Sequence, residues 1–118
     1  MGNKNAERDV PIQKTEVLER IGGDASFLEE LLTLYDEEFA TKTEALESAL
    51  GKKDFASLEN LGHGLKGSSA NLSLPGLQEA SYGMETAGRE KDIAAAKTAM
   101  ADLKREYARL KEYFARKN

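Results

Sequence analysis

Between Ile93 and Phe114 the apolar residues Ile93, Ala96, Met100, Leu103, Tyr107, Leu110 and Phe114 alternate spacings of three and four without a fault. That spacing puts every one of these side chains on a single stripe of an α-helix, whereas a strand would scatter them over both faces. The stretch is therefore a long helix with one side that must be covered. A second chain could cover it as a coiled coil, but packing inside an antiparallel bundle uses the same geometry. The bundle is expected, because the remaining segments supply the partners and occupy the seam internally, which makes the protein a monomer.

Those segments follow in order. Residues 1–11 are polar up to Val10 and lack periodicity, and Pro11 closes them, so they read as a flexible arm ahead of a single domain spanning residues 12–118. Thr15 is placed to cap a short helix carrying Val17, Leu18 and Ile21, which Gly22 and Gly23 stop. Asp24 caps a long helix, roughly 26 residues or about 40 Å, with Leu28, Leu31, Leu32, Tyr35, Phe39, Leu46 and Leu50 on its buried stripe and Gly51 as its end. Asp54 caps a third helix, which Asn71 to Leu74 break. Pro75 opens a fourth at a position that suits its missing N–H; Leu77, Ala80, Met84 and Ala87 form its stripe, Gln78, Tyr82 and Glu85 point elsewhere, and Gly88 stops it. Asp92 caps the last. Short connections make neighbours antiparallel, so the expected fold is all-α: an up-down-up-down antiparallel four-helix bundle with a short N-terminal helix capping one end. Phe27 and Leu34 lie about 100° off the stripe of their helix. They seat the short first helix, stay partly exposed to dock a partner, or do both at once.

The third helix holds the chain's only histidine, in Leu61-Gly-His-Gly-Leu-Lys-Gly-Ser-Ser-Ala-Asn-Leu72. On a helical wheel Phe55, Leu58, Leu61, Leu65, Ser69 and Leu72 share the inner stripe, and His63 falls roughly 150° from its centre, facing solvent. Glu59, Lys66, Gly67 and Ala70 share the outer face. Lys66 leans back beside the ring, since helical side chains tilt toward the N-terminus. Gly62, Gly64 and Gly67 together forgo roughly 2.5 kcal/mol of helix propensity against alanine, with no stability rationale visible in the sequence. Ser68 and Ser69 flank the inner stripe, where small hydroxyls permit close packing and bond nearby carbonyls.

The run resembles the signature of histidine-containing phosphotransfer (HPt) domains, a histidine followed by x-Leu-Lys-Gly-Ser-Ser/Ala. His63, Leu65, Lys66, Gly67, Ser68 and Ser69 match it, and the resemblance continues through Asn71 and Leu72 to Met84-Glu85 and Ala87-Gly88-Arg89, which are similar to that family's closing Leu-Glu and Gly-Arg. Ser73 stands where the family usually has glycine. The resemblance implies a phosphorelay intermediate that accepts a phosphoryl group on His63 from a receiver-domain aspartyl phosphate and passes it to another receiver. Lys66 would then stabilise phosphate charge, and Gly64 and Gly67 would leave room for the donor. Glu59, Ala70, Glu85, Arg89, Phe27 and Leu34 complete the expected binding surface. The partners implied are response-regulator receiver domains and a hybrid sensor kinase, with Mg²⁺ on the receiver and no cofactor on this chain.

Imidazole is itself a nucleophile for covalent phosphoryl transfer, and a transition state whose charge spreads over the phosphoryl oxygens asks for position and positive potential rather than an added base. Kinase dimerisation domains also carry a phosphorylated histidine, but usually follow it with an acidic residue and soon a proline; here Gly64 and Leu65 follow, and no proline comes before Pro75. Without a glycine-rich nucleotide site or P-loop, a phosphocarrier rather than a kinase is expected. The alternative is a helical adaptor that binds receivers and carries no phosphate. With 17 Lys and Arg against 21 Asp and Glu, a non-specific grip on nucleic acid is not expected. With a lone histidine and no cysteine, no transition-metal site is expected, and the lack of cysteine, apolar span and signal segment fits a cytoplasmic protein off the membrane.

Overall fold

The computed structural model describes residues 10–117. The expected arm lies outside the described residues except for Val10 and Pro11, which are half-buried. Five helices follow: α1 (Lys14–Arg20), α2 (Ala25–Lys52), α3 (Phe55–Asn71), α4 (Pro75–Arg89) and α5 (Ile93–Lys117). No strand occurs among the described residues. α4 lies between α3 and α5, α2 packs on both α3 and α5, and α1 rests on α2. The core they enclose includes Tyr35, Phe39, Leu46, Leu58, Leu65, Leu77, Met84, Met100, Leu103 and Leu110.

The seam of α5 turns inward. Ala96, Met100, Leu103 and Leu110 are buried, together with Ala99 beside them, and Tyr107 stacks on Phe39 with ring centroids 4.1 Å apart. Asp24, Asp54 and Asp92 cap their helices by accepting from the backbone N–H groups of Phe27 (3.0 Å), Ser57 (3.2 Å) and Ala95 (3.0 Å). Pro75 opens α4 as its first residue.

Two expected helix ends are corrected, and both for the same reason. α2 runs through Gly51 to Lys52, and Lys53 takes the left-handed conformation at φ 54°. α4 runs through Gly88 to Arg89, and Lys91 is left-handed at φ 57°. Between α3 and α4 it is Ser73, at φ 57°. Each of these residues sits in a Schellman turn: Asp54, Leu74 and Asp92 donate their N–H groups five residues back to Ala49, Ser69 and Ala87. A residue placed just before the start of the next helix must reverse the chain there, whichever side chain it carries. The left-handed conformation at Ser73 is one that glycine adopts without steric cost. Here the serine is held by contacts with the N-terminal segment: its carbonyl accepts from Gln13 N at 2.8 Å and its hydroxyl donates to Glu16. That anchor on Gln13 also starts α1 at Lys14, so Thr15 lies inside the helix and does not cap it.

Gly88 is a packing residue instead of a stop. A Cβ on it would collide with Glu59 N and lie 2.7 Å from Phe55 O. Gly62 meets α4 in the same way, with Glu85 N at 2.6 Å. These two contacts bring the α3 and α4 backbones together, and Gly62 therefore has the structural rationale that the sequence did not reveal.

Candidate functional site

Leu58, Gly62, Leu65 and Ser69 fix the buried face of α3. His63 consequently stands on the outer face with its side chain 70% exposed. The close approach at Gly62 slides α4 alongside, so that Glu85, expected to point elsewhere, is buried against α3 with only 9% of its side chain exposed. Its two carboxylate oxygens divide the work. Oε2 lies 3.1 Å from His63 Nδ1 and 3.3 Å from Arg89 Nη2, while Oε1 lies 2.7 Å from Lys66 Nζ. The Lys66 ammonium foremost, with His63 assisting and burial opposing, holds the Glu85 carboxyl below its usual range.

An ionised carboxylate only accepts hydrogen bonds. Nδ1 therefore carries the ring proton and donates it to Glu85, which leaves the Nε2 lone pair directed away from α4. Lys66 does not stand free beside the ring as its helical position suggested. Its ammonium is tied to Glu85 and lies 5.1 Å from the centroid of the Tyr82 ring, because Glu85 offers it a carboxylate in a sheltered place where solvent competes poorly.

The other expected residues divide between the site and its surroundings. Arg89 reaches both Glu85 and Glu59, the latter at 3.5 Å from Nε. Gly67 is exposed, with nothing within 4 Å of a Cβ built on it, whereas Gly64 is covered by the Lys42 side chain. Ala70 belongs to the far end of α3, where its carbonyl accepts from Arg20. Phe27 and Leu34 remain 42% and 60% exposed. Leu34 shares its face of α2 with Glu38, one turn on, and Glu38 accepts from Ser68 Oγ at 2.7 Å, so the exposed leucine borders the Gly67 side of α3. Ser69 is buried and hydrogen-bonds Tyr35 Oη at 2.7 Å. Both serines thus bond side chains of α2, not the carbonyls expected.

Glu38 and Lys42 escaped the sequence reading altogether. Their four-residue spacing suggests only a pair on a helix surface, and nothing in it shows which helix they face. Among the described residues no group of three or more His, Cys, Asp and Glu could hold a metal ion, and no helix is long and apolar enough to cross a membrane.

The open space at Gly67 carries a prediction. Gly67→Gln should raise the melting temperature slightly, because glutamine is the better helix former by something under 1 kcal/mol and nothing stands within 4 Å of a Cβ at this position. Any partner's approach to the imidazole one turn away should nevertheless slow. Thermal unfolding checks the first half, and a Gly67→Gln variant that melts below the parent would show hidden packing at this position.

Residues 30–113 match the family model described as the Hpt domain. No curated protein and no solved structure matches the chain. The matched span covers well over half of the sequence and runs from within α2 to near the end of α5, enclosing His63, Glu85 and the two close-packed glycines; the chain belongs to the Hpt domain family, phosphocarrier modules of two-component signalling.

Proposed function

We propose that this chain is a phosphorelay intermediate, accepting a phosphoryl group on His63 Nε2 from the aspartyl phosphate of one receiver domain and passing it to another. The observation that carries this reading is the pairing of an exposed imidazole with a buried carboxylate at its Nδ1. Glu85 keeps the proton on the inner nitrogen and so keeps the outer one nucleophilic. In the transfer the Nε2 lone pair forms a bond to phosphorus while the P–O bond to the aspartyl carboxylate breaks, its electron pair leaving with that carboxylate. The proton on Nδ1 stays where it is. The ring then carries positive charge, and the adjacent Glu85 carboxylate offsets it.

The chain supplies position and potential, with no nucleotide site or kinase activity of its own, and the Mg²⁺ belongs to the receiver. The exposed Phe27 and Leu34 supply apolar surface for that receiver. We place the protein in the cytoplasm as a monomer, with its four long helices in up-down-up-down antiparallel order, α1 over one end, and the α5 seam used internally. The test is incubation with a phosphorylated receiver and Mg²⁺, followed by assay for acid-labile phosphate on this protein. Label on His63 supports the carrier; stable binding without label would make it an adaptor.

The same carboxylate makes a prediction about pH. Glu85 has its folded pKa lowered from the ordinary carboxylate value of 4.5, so between the two values the unfolded chain binds the extra proton. Its contribution to stability is therefore present above the ordinary carboxylate range and is lost as pH falls through the folded value. Between pH 6 and pH 3 the melting temperature of the wild type should fall further than that of Glu85→Gln. Parallel pH curves for the two proteins would remove Glu85 from the acid response.

A further inference from the structure

α3 has two flanks beside the His63 ridge. Relative to His63 the helical wheel puts Gly62 and Lys66 on one side and Gly64 and Ser68 on the other. The first side faces α4, where Glu85 takes both Nδ1 and Lys66. The second faces α2, and there Glu38 and Lys42 reach across. Ser68 Oγ and Lys42 Nζ both donate to Glu38 Oε2, each at 2.7 Å. The lysine then comes to rest on α3 itself: a Cβ built on Gly64 would lie 2.6 Å from Lys42 Nζ and 3.6 Å from its Cε. The ammonium occupies the place of the missing side chain, on the residue next to His63, whose Cα is about 3.8 Å away along the chain.

The two nitrogens of an imidazole ring point to opposite sides. With Nδ1 turned toward α4, Nε2 and whatever it carries turn outward and toward the α2 flank. Lys66 lies on the α4 side of the ring and already pairs with Glu85. Lys42 is on the right side, and the hydroxyl of Ser68 can remain with Glu38 when the ammonium leaves it. We propose that Lys42 is the cation that binds a phosphoryl group on His63, with Glu38 holding its ammonium over Gly64 until the group arrives. The proposal rests on His63 being the acceptor. Lys42 keeps its protons throughout and adds only positive potential at the phosphoryl oxygens. Half-burial of both partners in an i,i+4 pair gives Lys42 little weight in folding.

A small phosphodonor separates this proposal from the reading beneath it. Incubation of the purified protein with phosphoramidate should phosphorylate His63: the Nε2–P bond forms as the P–N bond of the donor breaks, and ammonia leaves with the electron pair. ³¹P NMR then follows the titration of the attached phosphoryl group. Lys42→Met should accept phosphate roughly tenfold more slowly, less than the 10²–10³ of a fully enclosed donor. Its phosphoryl group should titrate roughly half a unit higher, as loss of an exposed cation allows. Lys42→Arg should restore most of both. Gly64→Ala approaches the same point without touching the lysine, because its methyl group takes the ammonium's seat, and it should raise the phosphoryl titration too. Wild-type rates and titrations in both Lys42→Met and Gly64→Ala would overturn the proposal while leaving His63 as acceptor. Failure of wild-type His63 to take phosphate at all would overturn the acceptor reading itself.

Discussion

Replacing His63 by glutamine should abolish phosphoryl acceptance and leave the fold almost untouched. The loss is complete because an amide nitrogen has no available lone pair for phosphorus, and this is the only histidine in the chain. The fold survives because the side chain is 70% exposed, and substitutions at exposed positions usually fall within about 0.5 kcal/mol. A glutamine amide can also donate to Glu85 in place of Nδ1. The comparison to make is acid-labile phosphate after exposure to a phosphorylated receiver, beside thermal unfolding of both proteins. Label retained on the variant would move the acceptor elsewhere in the chain.

Gly62→Ala should have the largest effect on stability of any single methyl group added to α3. A Cβ at residue 62 would lie 2.6 Å from Glu85 N, 3.0 Å from Glu85 Cα and 3.0 Å from Ser81 O. All three are backbone atoms of α4, so relief requires the helices to part. Overpacking of this kind costs about 1–3 kcal/mol, which outweighs a helix-propensity gain of at most about 1 kcal/mol. The melting temperature should drop by on the order of 5 °C or more. Because the displaced backbone carries Glu85, the hydrogen bond to Nδ1 should lengthen and transfer should weaken as well. Gly67→Ala, the same change five residues on, should act in the opposite direction, since nothing stands within 4 Å of its Cβ. A Gly62→Ala protein melting at or above the wild type would mean that α3 and α4 do not approach at this point.

The opposite behaviour expected of these two glycines shows where local information ends. Both interrupt the same helix, and propensity assigns them the same cost. Burial separates them, and burial at a glycine leaves no apolar side chain to betray it. The position of His63 was easier to read: the leucines around it define the inner stripe, and an exposed site follows from their spacing alone. The capping aspartates were legible for a similar reason, since an N-cap bonds within its own first turn. Gly51 and Gly88 misled because a C-terminal reversal depends on where the following helix begins, and Lys53 and Lys91 take the left-handed turn instead.

The sequence by itself determined that the chain is helical, where most of its helices start, which stripes they bury and that the histidine faces out. These follow from bonds and contacts within a few residues and from the 3.6-residue period. Only the tertiary structure decided what surrounds the imidazole. Glu85 follows His63 by 22 positions, and the reach of its carboxylate depends on the backbone approach at Gly62 and Gly88. Lys42 arrives from α2, where no pattern shared with α3 announces it. Contacts between different helices depend on their separation, axial offset and rotation about one another; none of these is encoded in the periodicity of either helix alone, and all are set together when the core packs.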